Sequence, residues 1–174
     1  RGFIGSRLVQ MLVKQGTEVV CLDRTAARQD SLSGLQLRRM TGDVRDPQVV
    51  GDALAEIDVV FHLAASTAPR TLAEAREINV AGTRNLATTA AARQKNPPVL
   101  LYVSSLAVAG PCETAVTEPA ECQPISIYGQ TKMEAEAALG ELAEQLPITV
   151  VRPPCVFGPG DKNMLGLVKT VRRG

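Results

Sequence analysis

The stretch that decides the fold is Gly2-Phe3-Ile4-Gly5-Ser6-Arg7-Leu8-Val9-Gln10-Met11-Leu12-Val13-Lys14-Gln15-Gly16-Thr17-Glu18-Val19-Val20-Cys21-Leu22-Asp23. Leu8, Met11 and Leu12 share one helical face, so residues 5–15 read as a helix. It stops at Gly16, a residue suited to the left-handed turn that ends helices. Residues 18–22 are an apolar run too short for a helix, which makes them a buried strand closed by Asp23.

Working outward, the alternation continues. Residues 37–40 read as a strand ending at Thr41-Gly42-Asp43, and Asp46-Pro47 starts a helix, since proline is tolerated in a first turn. Residues 58–63 are a strand, 72–93 mostly helix, 99–103 a strand, 127–146 a helix, 148–151 a strand and 163–172 a last helix. Apolar strands separated by helices predict a doubly wound α/β domain whose parallel sheet is covered on both faces. The longest irregular segment, 106–126, holds three prolines and two cysteines, and a loop of that length is usually functional or mobile.

The chain has 174 residues, 45% of them hydrophobic, enough for one domain with a sizeable core. Nineteen basic against eighteen acidic residues leave no electrostatic reason to seek nucleic acid or an anionic membrane. No apolar run reaches the roughly 20 residues a membrane helix needs. Four scattered cysteines and one histidine argue against a metal site, and a cytoplasmic setting fits. Arg1-Gly2 begins with no strand before it and Gly174 follows a helix that is ending, so the chain reads as a fragment whose first strand is missing.

Gly2 and Gly5 open the first helix, and Asp23 follows 18 positions after Gly5. Glycines at a helix N-terminus let backbone amides approach a pyrophosphate, and a carboxylate about 20 residues on accepts from ribose hydroxyls. The alternative is that these glycines serve helix–strand packing alone. Asp43-Val44 after the next strand would meet an adenine amino group, with Asp46 the better helix cap. Leu63-Ala64-Ala65 ends a strand with small side chains, leaving space for a cofactor beyond the carboxyl edge. Ser104-Ser105 ends the 99–103 strand on that same edge.

Tyr128 and Lys132 stand four apart at a helix start, so phenol and ammonium project from one face. A nearby ammonium favours phenolate and is expected to lower the tyrosine pKa from about 10. Such a tyrosine exchanges a proton with a carbonyl or hydroxyl oxygen, and an adjacent serine holds that oxygen. His62, late in a buried strand, reads as a satisfied core residue, and the Ala-rich 86–92 stretch as a packing face.

Taken in order, these segments resemble the extended short-chain dehydrogenase/reductases, the NAD-dependent epimerase/dehydratase family. The matching motifs are Gly2-Phe-Ile-Gly5, Leu22-Asp23-Arg24, Gly42-Asp43-Val44-Arg45-Asp46, His62-Leu-Ala-Ala65, Asn79-Val-Ala-Gly-Thr83, Ser104-Ser105, Tyr128-Gly-Gln-Thr-Lys132, and Arg152-Pro153 with Val156-Phe-Gly-Pro-Gly-Asp161. The resemblance implies a partial Rossmann domain over residues 1–174, with a substrate-recognising region beyond Gly174 absent. It implies Ser105, Tyr128 and Lys132 as catalytic residues. Gly2, Phe3, Ile4, Gly5, Asp23, Arg24, Asp43, Val44, Leu63, Ala64, Ala65, Asn79, Tyr128, Lys132, Pro153 and Val156 would line the cofactor. Ala109, where many sugar epimerases carry tyrosine, leans towards the 3β-hydroxysteroid dehydrogenase-like branch.

The expected activity is hydride transfer between a nicotinamide and a secondary alcohol or ketone. The alternatives are a nucleotide-sugar epimerase with tightly bound NAD and, from another class, a dinucleotide-sensing regulator that has lost catalysis. Asp23 favours NAD by repelling a 2′-phosphate, while Arg24 and Arg1 keep NADP open. The expected partners are a small-molecule substrate and a second copy in a homodimer.

Overall fold

A computed structural model describes residues 2–25, 30–93, 95–113, 115–159, 161, 166 and 170–172. The helix expected over 163–172 lies outside the described residues except at 166 and 170–172, as do Arg1 and Gly160.

Helix α1 runs Phe3–Lys14, two residues earlier than its apolar face suggests, and Gly16 takes φ +80° just beyond it. Strand β1 (Val20–Asp23) pairs in parallel with β2 (Arg38–Thr41), placing Asp23 opposite Thr41. Helix α2 (Pro47–Ala53) starts as its sequence dictates: the Asp46 carboxylate accepts from the amides of Gln48 and Val49, and Pro47 fills the first turn. Strand β3 (Val59–His62) then pairs in parallel with β4 (Val99–Val103), and β4 with β5 (Ile148–Val151).

The helical stretch between β3 and β4 is not uniform. Helix α3 (Leu72–Ala75) passes into a π-helical turn (Arg76–Ala81) and then α4 (Gly82–Ala91). Helix α5 (Ile127–Gly140) is shorter than the expected 127–146. Residues 141–145 are turns that carry Leu146 into the core, ahead of Pro147, whose predecessor is disfavoured in helical geometry.

The strands form two parallel blocks, β1-β2 and β3-β4-β5, rather than one ladder. Among the described residues no strand joins β1 to β3. The blocks are joined elsewhere: Asn85 of α4 donates to Val44 O at 2.8 Å beyond β2. Gly82 is needed there, because a methyl on it would stand 2.7 Å from a Val44 methyl.

Leu100 and Tyr102 of β4 point to the covered face of the second block. They pack under Val50 and Leu54, under Leu86, Ala87, Ala90 and Ala91 of α4, and under Ala135 and Leu139 of α5. The Ala-rich stretch is thus a packing face, its small side chains letting α4 approach closely. Cover on the opposite face is incomplete among the described residues. Val59 and Val99, neighbours on the opposite face, are 47% and 43% exposed, and α1 buries no residue. Among the described residues no helix is long and apolar enough to cross a membrane.

Candidate active site

In each parallel block every strand ends on one edge, and the expected site residues gather there. Gly2 caps α1 without a side-chain bond, and the first turn holds no acidic residue. A methyl group on Gly2 or Gly5 would meet nothing within 4 Å, so the helix N-terminus is open to close approach. Uncapped amides at the positive end of a 12-residue helix fit a pyrophosphate. The segment after β5 crosses beside them: Arg7 Nη2 donates to Pro159 O at 2.6 Å, and Phe3 sits against Gly158.

Asp23 closes β1. Arg39 of β2 forks onto Asp30 at 2.5 and 3.3 Å and reaches Asp23 at 3.7 Å. Burial first, and the Asp23 charge second, push the Cys21 thiol up. Asp43 is more committed than its sequence position suggests. Arg45 grips its carboxylate through the backbone amide, Nε and Nη2 at 2.8–2.9 Å, holding it at about 2, with Arg24 adding charge. Beyond β3, Leu63 and Ala65 are half-buried and Ala64 is exposed, leaving the strand end open.

Ser105 is the N-cap of a 3-10 turn (Leu106–Val108), its Oγ accepting from Ala107 N at 3.2 Å. That turn abuts α5 at Gly129, where a methyl would stand 2.4 Å from Ala107 O. Because glycine is there, Ser105 comes beside Tyr128. Burial raises the Tyr128 pKa above its ordinary 10, and the Ser105 hydroxyl pulls it back in part.

Where Lys132 is expected to lower the Tyr128 pKa, the net direction is up, and the lysine side chain takes other contacts. Its ammonium turns beneath the end of β4, donating to Val103 O at 2.6 Å and lying 4.2 Å from the Tyr102 ring centroid. Helical spacing places two Cβ atoms on one face, but a four-carbon stem then follows its own contacts. Lys132 is 1% exposed, and burial brings it down to about 8 against the opposing charge of Glu136.

A buried network backs this edge. His62 shares a 2.8 Å hydrogen bond with the Thr83 hydroxyl, which donates to Asn79 O. Burial, then the Lys132 charge, push His62 down to about 3, so it is a neutral core residue as expected. Asn79, 1% exposed inside the π-helical turn, accepts from Ser66 N at 2.7 Å and donates to Ser66 O and Thr131 Oγ1. Its amide stitches the β3 exit to α5. The Tyr102 hydroxyl is the buried side-chain polar atom without a hydrogen bond among the described residues; it lies near Thr83. On the far side of Lys132, Glu136 accepts from Ser104 Oγ and forks onto Arg152.

The sequence pattern of the NAD-dependent epimerase/dehydratase family matches residues 1–173. The chain belongs to that family. Curated relatives of this family member include the N-acetyl-alpha-D-glucosaminyl-diphospho-ditrans,octacis-undecaprenol 4-epimerase of Escherichia coli O157:H7, 31% identical over 99% of the chain and 52% of the relative. Another is the 3-beta-hydroxysteroid dehydrogenase of Mycolicibacterium neoaurum, 30% identical over 94% of the chain and 47% of the relative. Among solved structures, MoeE5 in complex with UDP-glucose and NAD superposes with a TM-score of 0.81 at 29% identity, over 98% of this chain and 57% of that one. The UDP-glucuronic acid 4-epimerase from Bacillus cereus in complex with NAD gives 0.82 at 26%, over 99% and 61%. The fold is therefore the Rossmann fold of NAD-dependent epimerases, reductases and dehydrogenases. The chain spans about half the length of the curated relatives it matches.

The structure thus brings Ser105 to Tyr128 and the α1 N-terminus to the segment carrying Pro153 and Val156, of which Val156 is 42% exposed. It turns Lys132 and Asn79 inward. Thr131, Glu136 and Arg45 escaped the sequence reading, though Glu136 had a signal: it continues the 128–132 face by one more turn.

Proposed function

We propose that this domain binds NAD along the strand-end edge and supports hydride transfer between the nicotinamide and a secondary alcohol or ketone, Tyr128 acting as acid/base. The observation that carries the reading is the Gly129–Ala107 contact, which sets Ser105 beside Tyr128 on the edge that also bears Asp23. Bound NAD would supply the hydride acceptor. Ser105 would hold the substrate oxygen while Tyr128 takes the hydroxyl proton. A phenol held above its ordinary pKa stays protonated at neutral pH, ready to donate in the reducing direction; acting as base requires a cation to approach it. Lys132 is the nearest source on its own helix, and its ammonium would turn outward to the nicotinamide ribose.

Gly2, Phe3, Ile4 and Gly5 would cradle the pyrophosphate, Asp23 the adenosine ribose, and Asp43 with Val44 the adenine. Leu63, Ala64, Ala65, Pro153 and Val156 would line the nicotinamide half. Asp23→Ala should weaken NAD at least tenfold and NADP less, since a charged bond to the ribose is lost only for NAD (about 1.5–3 kcal/mol). Equal loss in a fluorescence titration with both cofactors would remove the ribose assignment. Arg24 and Arg39, both close to that carboxylate edge, keep NADP within reach.

A nucleotide-sugar epimerase is the second reading, favoured by the epimerase relatives and neighbours. Cofactor exchange separates them. NAD retained through purification supports the epimerase; exchangeable cofactor with net formation of reduced nicotinamide supports the dehydrogenase. A regulator without catalysis is disfavoured by the retained Ser105, Tyr128 and Lys132. We place the protein in the cytoplasm, where four free thiols are at home, and as a homodimer, which sedimentation tests.

A further inference from the structure

Glu136 stands one helical turn beyond Lys132 on α5 and ties three elements together. Its Oε1 accepts from Ser104 Oγ, next to Ser105 at the exit of β4. Arg152, at the exit of β5 and next to Pro153, forks onto both carboxylate oxygens: Nε at 3.1 and 3.2 Å, Nη2 at 2.6 Å. The carboxylate is 12% exposed and the guanidinium 29%. A buried ammonium needs a partner of opposite charge. The groups facing Lys132 are the neutral His62 from β3, the Tyr102 ring from β4, and Glu136 on α5. Arg152 from β5 and Cys122 from the 106–126 loop lie beyond Glu136. From successive turns of α5, Lys132 and Glu136 hold consecutive residues at the end of β4, Val103 O and Ser104 Oγ, which sets the carboxylate near the ammonium without a direct ion pair, while Arg152 holds that carboxylate directly.

We propose that Glu136 is a positioning residue for Lys132: gripped by Ser104 and Arg152, it is the fixed counter-charge of the buried ammonium, and Arg152 sets how much of that charge Lys132 feels. This rests on the reading above in which Lys132 serves the nicotinamide ribose. A tie that merely joins β5 to α5 would be harmed alike by loss of either partner. A shared counter-charge responds with opposite signs. Without the carboxylate charge, Lys132 gives up its proton at lower pH; without the competing guanidinium, it keeps it to higher pH.

The test is NADH binding to the intact protein, followed by nicotinamide fluorescence from pH 6.5 to 9.5. With Lys132 at about 8, the unaltered protein should lose affinity through that pH. Glu136→Gln should move the midpoint down by about one pH unit and weaken binding roughly fivefold at pH 8. Arg152→Met should move it up, and Glu136→Asp and Arg152→Lys should leave it near its original place. If Glu136→Gln does not fold, Arg152→Met against Arg152→Lys decides alone. Shifts of the same sign for Glu136→Gln and Arg152→Met, or no shift in either, overturn the proposal. Lys132→Met separates it from the underlying reading: if that variant keeps both affinity and midpoint, the ribose role of Lys132 fails; if it abolishes the transition while the Glu136 and Arg152 variants do not split, only the counter-charge fails.

Discussion

The two halves of the candidate site are built by different means. Around Tyr128 the site is made of side chains braced against one another: Lys132, Asn79, Thr131 and Thr83 are all at most 1% exposed, and each has a hydrogen-bonding partner on another element or on its own helix. Around α1 it is made of backbone and space. That helix buries no residue, its N-cap makes no side-chain bond, and its glycines face open room. One half gains its geometry from packing and loses it when packing changes; the other presents amides and asks only that nothing stand in front of them.

Glycine to alanine is the sharpest way to break that comparison. Gly129→Ala sets a methyl 2.4 Å from Ala107 O and 3.0 Å from Pro124, so the 3-10 turn must move and take Ser105 with it. Urea unfolding should show a loss of about 3 kcal/mol, the upper end of overpacking costs, with turnover falling further than stability explains. Gly5→Ala should do the reverse: a gain of roughly 0.5–1 kcal/mol from helix propensity, with NADH affinity down at least tenfold. A stable, active Gly129→Ala protein, or a Gly5→Ala protein that binds NADH normally, would dissolve the distinction.

Acid should strike the braced half first. His62 is pushed down to about 3 in the folded chain and titrates near 6.5 when unfolded. Between those values the unfolded chain binds the extra proton, so stability present above pH 6.5 is lost as pH falls towards 3, at up to about 1.4 kcal/mol per pH unit. Asp43, held at about 2 from 3.8, contributes only below pH 4, in the same direction. Urea midpoints at pH 4.5, 5.5 and 6.5 should slope in the unaltered protein and flatten in His62→Gln.

The smallest effect is expected outside both halves. Arg84 and Glu141 pair at 2.6 Å with side chains 48% and 60% exposed, so Arg84→Ala should cost less than about 0.5 kcal/mol in the same assay.

Much of this was legible in the residues alone. The strand over 99–103, the Asp46-Pro47 helix start and the buried, neutral His62 follow from local pattern, because each depends on neighbours in sequence. What escaped depends on neighbours in space. The π-helical turn around Asn79 exists to meet Ser66 and Thr131, 13 and 52 residues away. Arg45 closes on Asp43 through side-chain torsions that spacing does not encode. Lys132 and Tyr128 share a face as expected, yet their polar ends part, because the ammonium finds Val103 O within reach. The split into two strand blocks belongs to hydrogen-bond pairing, which apolar runs predict only as sheet and not as ladder.

The central claim is that Tyr128, set against Ser105 by Gly129, moves the proton at an NAD site. Tyr128→Phe in the intact protein tests it most directly, with turnover and NADH affinity measured on the same preparation. Turnover should fall by about 10²–10⁴, with NADH affinity within a few-fold of the unaltered protein. Full turnover in a Tyr128→Phe protein that still binds NADH would contradict it.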